Sequence, residues 1–179
     1  MSYELRIWDP SRHGPAPTSA DGALDLVESL LDTPAEPNSA LERFGQSLVD
    51  AWEATHDSSV SGDVTLAEFW GGDPRQQTRA CETAVFPLSL PEEDGRRLAL
   101  AVDAASRAGL ALLDDENGMC FLPGGVVYPE DTREMWASML DELRAGPPAP
   151  GEEAADSRTL LQRIAGELFD AIGRGNPHR

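Results

Sequence analysis

Large apolar and charged residues alternate from Tyr3 to Trp8, with Tyr3, Leu5 and Ile7 on one face, a period of two that predicts a half-buried strand. Asp9-Pro10 stops it, and a Pro/Ser/Gly loop follows to about residue 18. The period then changes to that of a helix. Ala23, Leu24, Val27, Leu30 and Leu31 form one amphipathic stripe, broken by Pro34 and Pro37. Ser39-Ala40-Leu41-Glu42 reads as a capping box opening a second helix with Leu41, Phe44, Leu48 and Trp52 on one side. Val64 to Trp70 reads as a strand closed by the turn Gly71-Gly72-Asp73-Pro74, and Arg79 to Leu90 as another. Pro87, which has no N–H, predicts that this second strand lies at a sheet edge or ends early.

Pro91-Glu92-Glu93-Asp94 has the chemistry of a helix start, and Leu98, Ala101, Val102 and Ala105 supply its buried stripe up to a C′ glycine at Gly109. Leu110 to Leu113 reads as a buried strand. Asp114 to Gly118 turns it, with Asn117-Gly118 supplying positive φ angles, and Met119 to Leu122 returns as the other arm of a hairpin. A further helix begins near Glu130-Asp131, with Met135, Trp136, Met139, Leu140 and Leu143 as its stripe. The order β-α-α-β-β-α-β-β predicts an α+β fold: a ferredoxin-like split βαβ sandwich, its mainly antiparallel sheet covered by helices on one face. This domain spans residues 1–145, followed by a Pro/Gly/acidic linker over 146–157 and an amphipathic helix over 158–174.

Charge changes the picture most. The chain has 32 acidic and 14 basic residues, for a net charge of −18, and every basic residue is an arginine. The acids are spread evenly: residues 1–91 carry 15 acids and 5 arginines (net −10), and residues 92–179 carry 17 and 9 (net −8). A folded surface of that sign repels phosphates and argues against nucleic acid as a partner. No apolar run reaches the roughly 18 residues of a membrane span, and the start lacks a basic-then-apolar leader, so a soluble, cytoplasmic protein is expected. From Arg158 to Arg179 four arginines face two acids, so this last segment is net +2 on a body of −20. It is drawn to its own domain or to an identical subunit, the latter giving a homo-oligomer.

Candidate chemistry is sparse. The chain has no phosphate loop, nucleophile elbow, His-Glu-x-x-His or dinucleotide fingerprint, and His13, His56 and His178 lie in loops or at the end. No cofactor is implied. Cys81 and Cys120 read as small hydrophobes in strands, with Arg79 on the same strand face as Cys81. Asp114, Asp115 and Glu116 cluster oxygen ligands of the kind a divalent cation prefers, but without the spacing of a calcium loop, so a polar hairpin turn is the simpler reading. Trp70 stands beside Asp73 and Arg75 in a loop of turn formers, either as a recognition anchor or as a cap on the sheet.

The opening Ser2-Tyr3-Glu4-Leu5-Arg6-Ile7-Trp8 resembles the Tyr-Asp-Leu-x-Val-Trp start of a group of small bacterial proteins. In that group a helix precedes a buried strand, an Asp-Pro-Gln-x-Gly turn and a short apolar strand. Gly109 to Leu113, Asp114 to Gly118 and Met119 to Pro123 stand in the same order here, with Asp115 and Glu116 in place of Pro-Gln. The resemblance covers residues 2–125 in the order of elements and implies a likeness to toxin-immunity proteins. The expected function is therefore a non-enzymatic antagonist that binds a basic partner, such as a toxin domain, through acidic surface. Trp70, Asp73, Glu130, Asp131, Glu134, Asp141 and Glu142 are the expected contacts. The competing reading is a small-ligand or divalent-metal-binding protein or enzyme using Asp114, Asp115 and Glu116.

Overall fold

The computed structural model describes residues 3–55, 65–90 and 95–145. The chain divides into two compact units, Met1–Arg133 and Glu134–Arg179. Within the second, the described part is a helix that ends at Ala145. The expected linker over 146–157, the expected helix over 158–174 and the helix start at Pro91 to Asp94 lie outside the described residues.

Five antiparallel strands make one sheet: β1 (Tyr3–Trp8), β2 (Val85–Leu90), β3 (Ala111–Asp114), β4 (Met119–Leu122) and β5 (Val126–Tyr128), in the spatial order β2-β1-β3-β4-β5. The helices are α1 (Ala20–Leu30), α2 (Ser39–Thr55), α3 (Leu66–Trp70), α4 (Pro74–Arg79), α5 (Gly95–Ala108) and, after a 3-10 turn at Glu130–Thr132, α6 (Arg133–Ala145). The fold is α+β. Because β1 is antiparallel to both β2 and β3, those two run parallel on either side of it, joined through α5. That is one split βαβ unit. The ferredoxin-like expectation goes no further than this unit, since β3, β4 and β5 continue as a meander. β2 lies at the edge, one of the two outcomes expected from Pro87, and it continues past Pro87 to Leu90.

Register assigns the faces. Trp8 pairs with Val85 and Ala111, Leu113 with Cys120, and Leu122 with Val126, so these side chains share one face. They join Ala23, Val27 and Leu30 of α1 in one buried cluster. On the opposite face Leu5, Ile7, Phe86, Leu88, Leu112 and Phe121 are buried. There Phe44 of α2 meets Phe86 edge-on, ring centroids 6.1 Å apart, and α5 packs on β3, β4 and α2. The expectation of helices on one face is thus corrected: α1 covers the second face at the Trp8 end. The physical reason is Trp8 itself, which follows the charged positions Glu4 and Arg6 on that face and needs a cover of its own.

Four local readings change as well. The expected strand ending at Trp70 is, over its described residues, a helix from Leu66 to Trp70. Thr65 caps α3, its hydroxyl accepting from the Glu68 N–H while the Glu68 carboxylate accepts from the Thr65 N–H, a complete capping box. Arg79 ends α4, whose N-cap is Asp73 with Pro74 after it, so the strand begins only at Val85. For α2 the side-chain cap is Asn38, one residue before Ser39: its Oδ1 accepts from the Ala40 N–H at 2.9 Å. At the β3–β4 turn only Gly118 has positive φ (62°); Asn117 does not, because its side chain and N–H are both bonded to the Asp114 carboxylate. Gly109 ends α5 with φ 77°, and Leu110 N–H reaches back to the Ala105 carbonyl as a C′ glycine arrangement requires.

Asp9 fastens the end of β1 to the segment before α2. Oδ1 accepts from the Ser11 N–H and hydroxyl, Oδ2 from Asn38 Nδ2 at 3.1 Å, and Arg12 Nε stands 3.4 Å away. Burial pushes this carboxyl up, but the bonds from Ser11 and Asn38 and the Arg12 charge more than offset it, leaving it below the usual carboxylate range. A folded-state pKa below the unfolded one means that the contribution is complete above about pH 4 and is lost as pH falls through the folded value. Asp9→Ala is therefore expected to destabilise by about 1.5–3 kcal/mol at neutral pH, the difference from the parent shrinking below about pH 4. Urea melts of both proteins across that range check it.

α2 and α4 approach closely at Gly45, where a Cβ would lie 2.6 Å from Thr78 Oγ1 and 2.8 Å from the Pro74 carbonyl oxygen. Gly45→Ala improves helix propensity by about 1 kcal/mol but overpacks this contact by about 1–3 kcal/mol. A net loss of stability is expected in urea unfolding. Adding Thr78→Ala should restore only part of it, because the Pro74 carbonyl cannot be removed.

Candidate functional site

The residues expected to form a partner surface do not share one environment. Trp70 is fully buried, its Nε1 donating to the Leu48 carbonyl at 3.1 Å and its ring edge-on to Phe69. Its expected role as a surface anchor is corrected: the residue is the C-terminal end of α3 turned inward, and an indole N–H takes a carbonyl partner when it leaves water. Asp73 accepts from the Arg75 N–H and holds the Arg75 guanidinium at 3.0 and 3.1 Å. That side-chain bond from Arg75 keeps its carboxyl below the usual range, with burial a smaller opposing effect. Asp73 is thus occupied in starting α4 and holding Arg75.

Glu130 and Asp131 are exposed in the 3-10 turn, and Glu134 and Asp141 are exposed on α6. Glu142 belongs to α6, and its side chain lies outside the described residues. The carboxylates of the β3–β4 turn point in different directions. Asp114 is fully buried and accepts both Asn117 donors, whereas Asp115 is exposed with an oxygen 3.9 Å from Arg6, and Glu116 is exposed. Among the described residues no group of three or more His, Cys, Asp or Glu side chains is placed to hold a metal ion. Cys120 sits under α1, where burial pushes its thiol up to about 12. Cys81 lies between α4 and β2, outside any strand, with Sγ donating to the Thr83 carbonyl at 3.2 Å.

Two charged features were not singled out from the sequence. The first is the outer side of α1. Asp21, Asp25 and Glu28, continued by Asp32 just past its end, fall at i, i+4, i+7 and i+11 on the side opposite the buried Ala23, Val27 and Leu30. All four are exposed, and none has an ion-pair partner among the described residues. Like charges at these spacings repel, and the last turn of α1 carries no basic residue to answer Glu28 and Asp32 at the negative end of the helix dipole. The spacing was legible in the sequence as the complement of the apolar stripe.

The second is a groove of about 290 Å³ between α2 and α4, lined by Ser39, Glu42, Arg43, Gln46, Arg75 and Arg79. Arg75 lies two residues after Asp73 and is tied to it. Arg43 spans outward from α2, Nη1 to the Ser39 hydroxyl at 3.3 Å and Nη2 to the Ala108 carbonyl at 3.5 Å. Arg79, in the last turn of α4, is exposed and has no ion-pair partner among the described residues. The convergence of α2 and α4 depends on the Gly45 contact, which local sequence pattern does not report.

No protein-family model, curated protein or solved structure matches the chain. The reading of its surface therefore rests on the geometry above.

Trp70→Phe is expected to destabilise the fold by about 1–3 kcal/mol, because the buried indole hydrogen bond to Leu48 is lost and the smaller ring leaves a void. Thermal and urea unfolding of the variant measure that loss.

Proposed function

We propose that this chain is a non-enzymatic binding protein that grips a basic protein partner, with the acidic ridge of α1 as the centre of its contact surface. The observation that carries this reading is the ridge itself: four exposed carboxylates, three on one side of α1 and Asp32 just past its end, without an ion-pair partner among the described residues and set partly against the helix dipole. Asp21 suits the N-terminal turn of the helix, but Glu28 and Asp32 at its other end do not. The ridge's repulsion is relieved when a cationic surface docks, and its field accelerates the encounter. Glu130, Asp131, Glu134 and Asp141 extend the supply of exposed acid elsewhere on the chain. Within this class the finer reading is an antagonist of a basic toxin domain, an immunity-like protein, supported by the likeness of Tyr3–Trp8 and by the net charge of −18.

The test neutralises the ridge with Asp21→Asn, Asp25→Asn, Glu28→Gln and Asp32→Asn together. The variant is expected to fold with stability equal to or above that of the parent. Its association rate with a purified basic partner, isolated at low salt, should fall by about tenfold, and the parent's rate should fall to the same level as salt rises. A partner bound equally fast by both proteins, with no response to salt, overturns the proposal.

A further inference from the structure

We infer that the α2–α4 groove binds a small phosphate ester carrying hydroxyl groups, of the class of the sugar phosphates, independently of the acidic ridge. The argument begins with arginine placement on a chain of net charge −18. Arg6, Arg12, Arg75 and Arg107 each stand against a carboxylate. In the groove Arg43 and Arg79 have none, although acids outnumber arginines by more than two to one along the chain. Two guanidiniums without a carboxylate and a third held by Asp73 are thus brought together from two helices.

The lining then selects the ligand. Guanidinium forks match the paired oxygens of phosphate, and a dianion draws on more than one fork at once. Arg79 offers its whole fork. Arg43 holds only neutral oxygens at 3.3 and 3.5 Å, long bonds that it can exchange for a charged acceptor. Arg75 is anchored by Asp73 through Nε and Nη2, which leaves Nη1 to point elsewhere. Glu42 is the one acid of the lining and repels a bare anion, but with Gln46 and Ser39 it can accept from or donate to sugar hydroxyls. The lining contains no aromatic or aliphatic side chain, so a nucleotide base would find no stacking partner. A volume of about 290 Å³ suits one phosphorylated sugar and is small for a drug-sized apolar ligand.

Calorimetric titration of the full chain tests the assignment, using as probes the terminal phosphate ester of glucose, inorganic phosphate, glucose and succinate. The ester is expected to bind with submillimolar affinity, inorganic phosphate about tenfold more weakly, and glucose without measurable heat. Arg79→Gln, an exposed change that leaves the fold intact, should weaken the ester by about tenfold or more. Glu42→Gln should bring ester and inorganic phosphate to similar affinities, because it removes both the hydroxyl contact and the repulsion. Absence of heat with the ester up to about 10 mM overturns the inference, as does unchanged binding in Arg79→Gln. Succinate binding as tightly as the ester overturns the phosphate assignment, and displacement of the ester by a polyglutamate peptide at lower concentration overturns the small-ligand one.

Discussion

β1 is paired on both edges and has buried residues on both faces, and most of the first unit is arranged to meet that demand. As the first strand in chain order, β1 could have at most one of its two antiparallel neighbours joined to it by a hairpin; here neither is, and β2 and β3 come from distant parts of the chain, joined to each other through α5. Leu5 and Ile7 face one side and are closed over by the layer containing α2 and α5. Trp8 faces the other and is closed over by α1. The polar knot at Asp9 then holds the chain where it leaves β1, tying Ser11, Arg12 and Asn38 to one carboxylate just before α2 begins.

Electrostatics sorts the surface in the same economical way. Arginine side chains bind at junctions: Arg6 lies near Glu4 and Asp115 on the uncovered part of the sheet, Arg12 bridges Asp9, Glu36 and the Pro37 carbonyl, and Arg43 reaches the end of α5. A planar fork on a long stem serves such positions well, since one side chain can satisfy several oxygens on different segments. The acids without that engagement are left on outer ridges, where water and salt screen them. Among the described residues the exposed acids of α1 and the arginine-lined groove between α2 and α4 are thus regions of opposite sign.

The apolar stripes of α1, α2 and α5, the strands β1, β3 and β4, and the edge position of β2 were all legible, because each depends on spacing within a short window or on the missing N–H of Pro87. Thr65 to Glu68 was legible too, but its Thr-x-x-Glu pattern competed with the β-type residues Val64, Thr65, Phe69 and Trp70, and the cap won once Trp70 had a buried carbonyl to reach. Asp73 was expected, with Trp70, to contact a partner, yet its first engagement is with Arg75 two residues on. The metal reading of Asp114 to Glu116 rested on adjacency, whereas the fold buries Asp114 at the end of β3 and leaves Asp115 and Glu116 exposed in the turn.

Local order, net charge and the acidic complement of the α1 stripe are properties of neighbouring residues, and the sequence alone determined them. Which face of the sheet α1 covers, that Trp70 points inward, and that Arg43, Arg75 and Arg79 line one groove were decided only by tertiary structure. Each depends on how closely two distant elements can approach, and at Gly45 that distance is set by a side chain's absence.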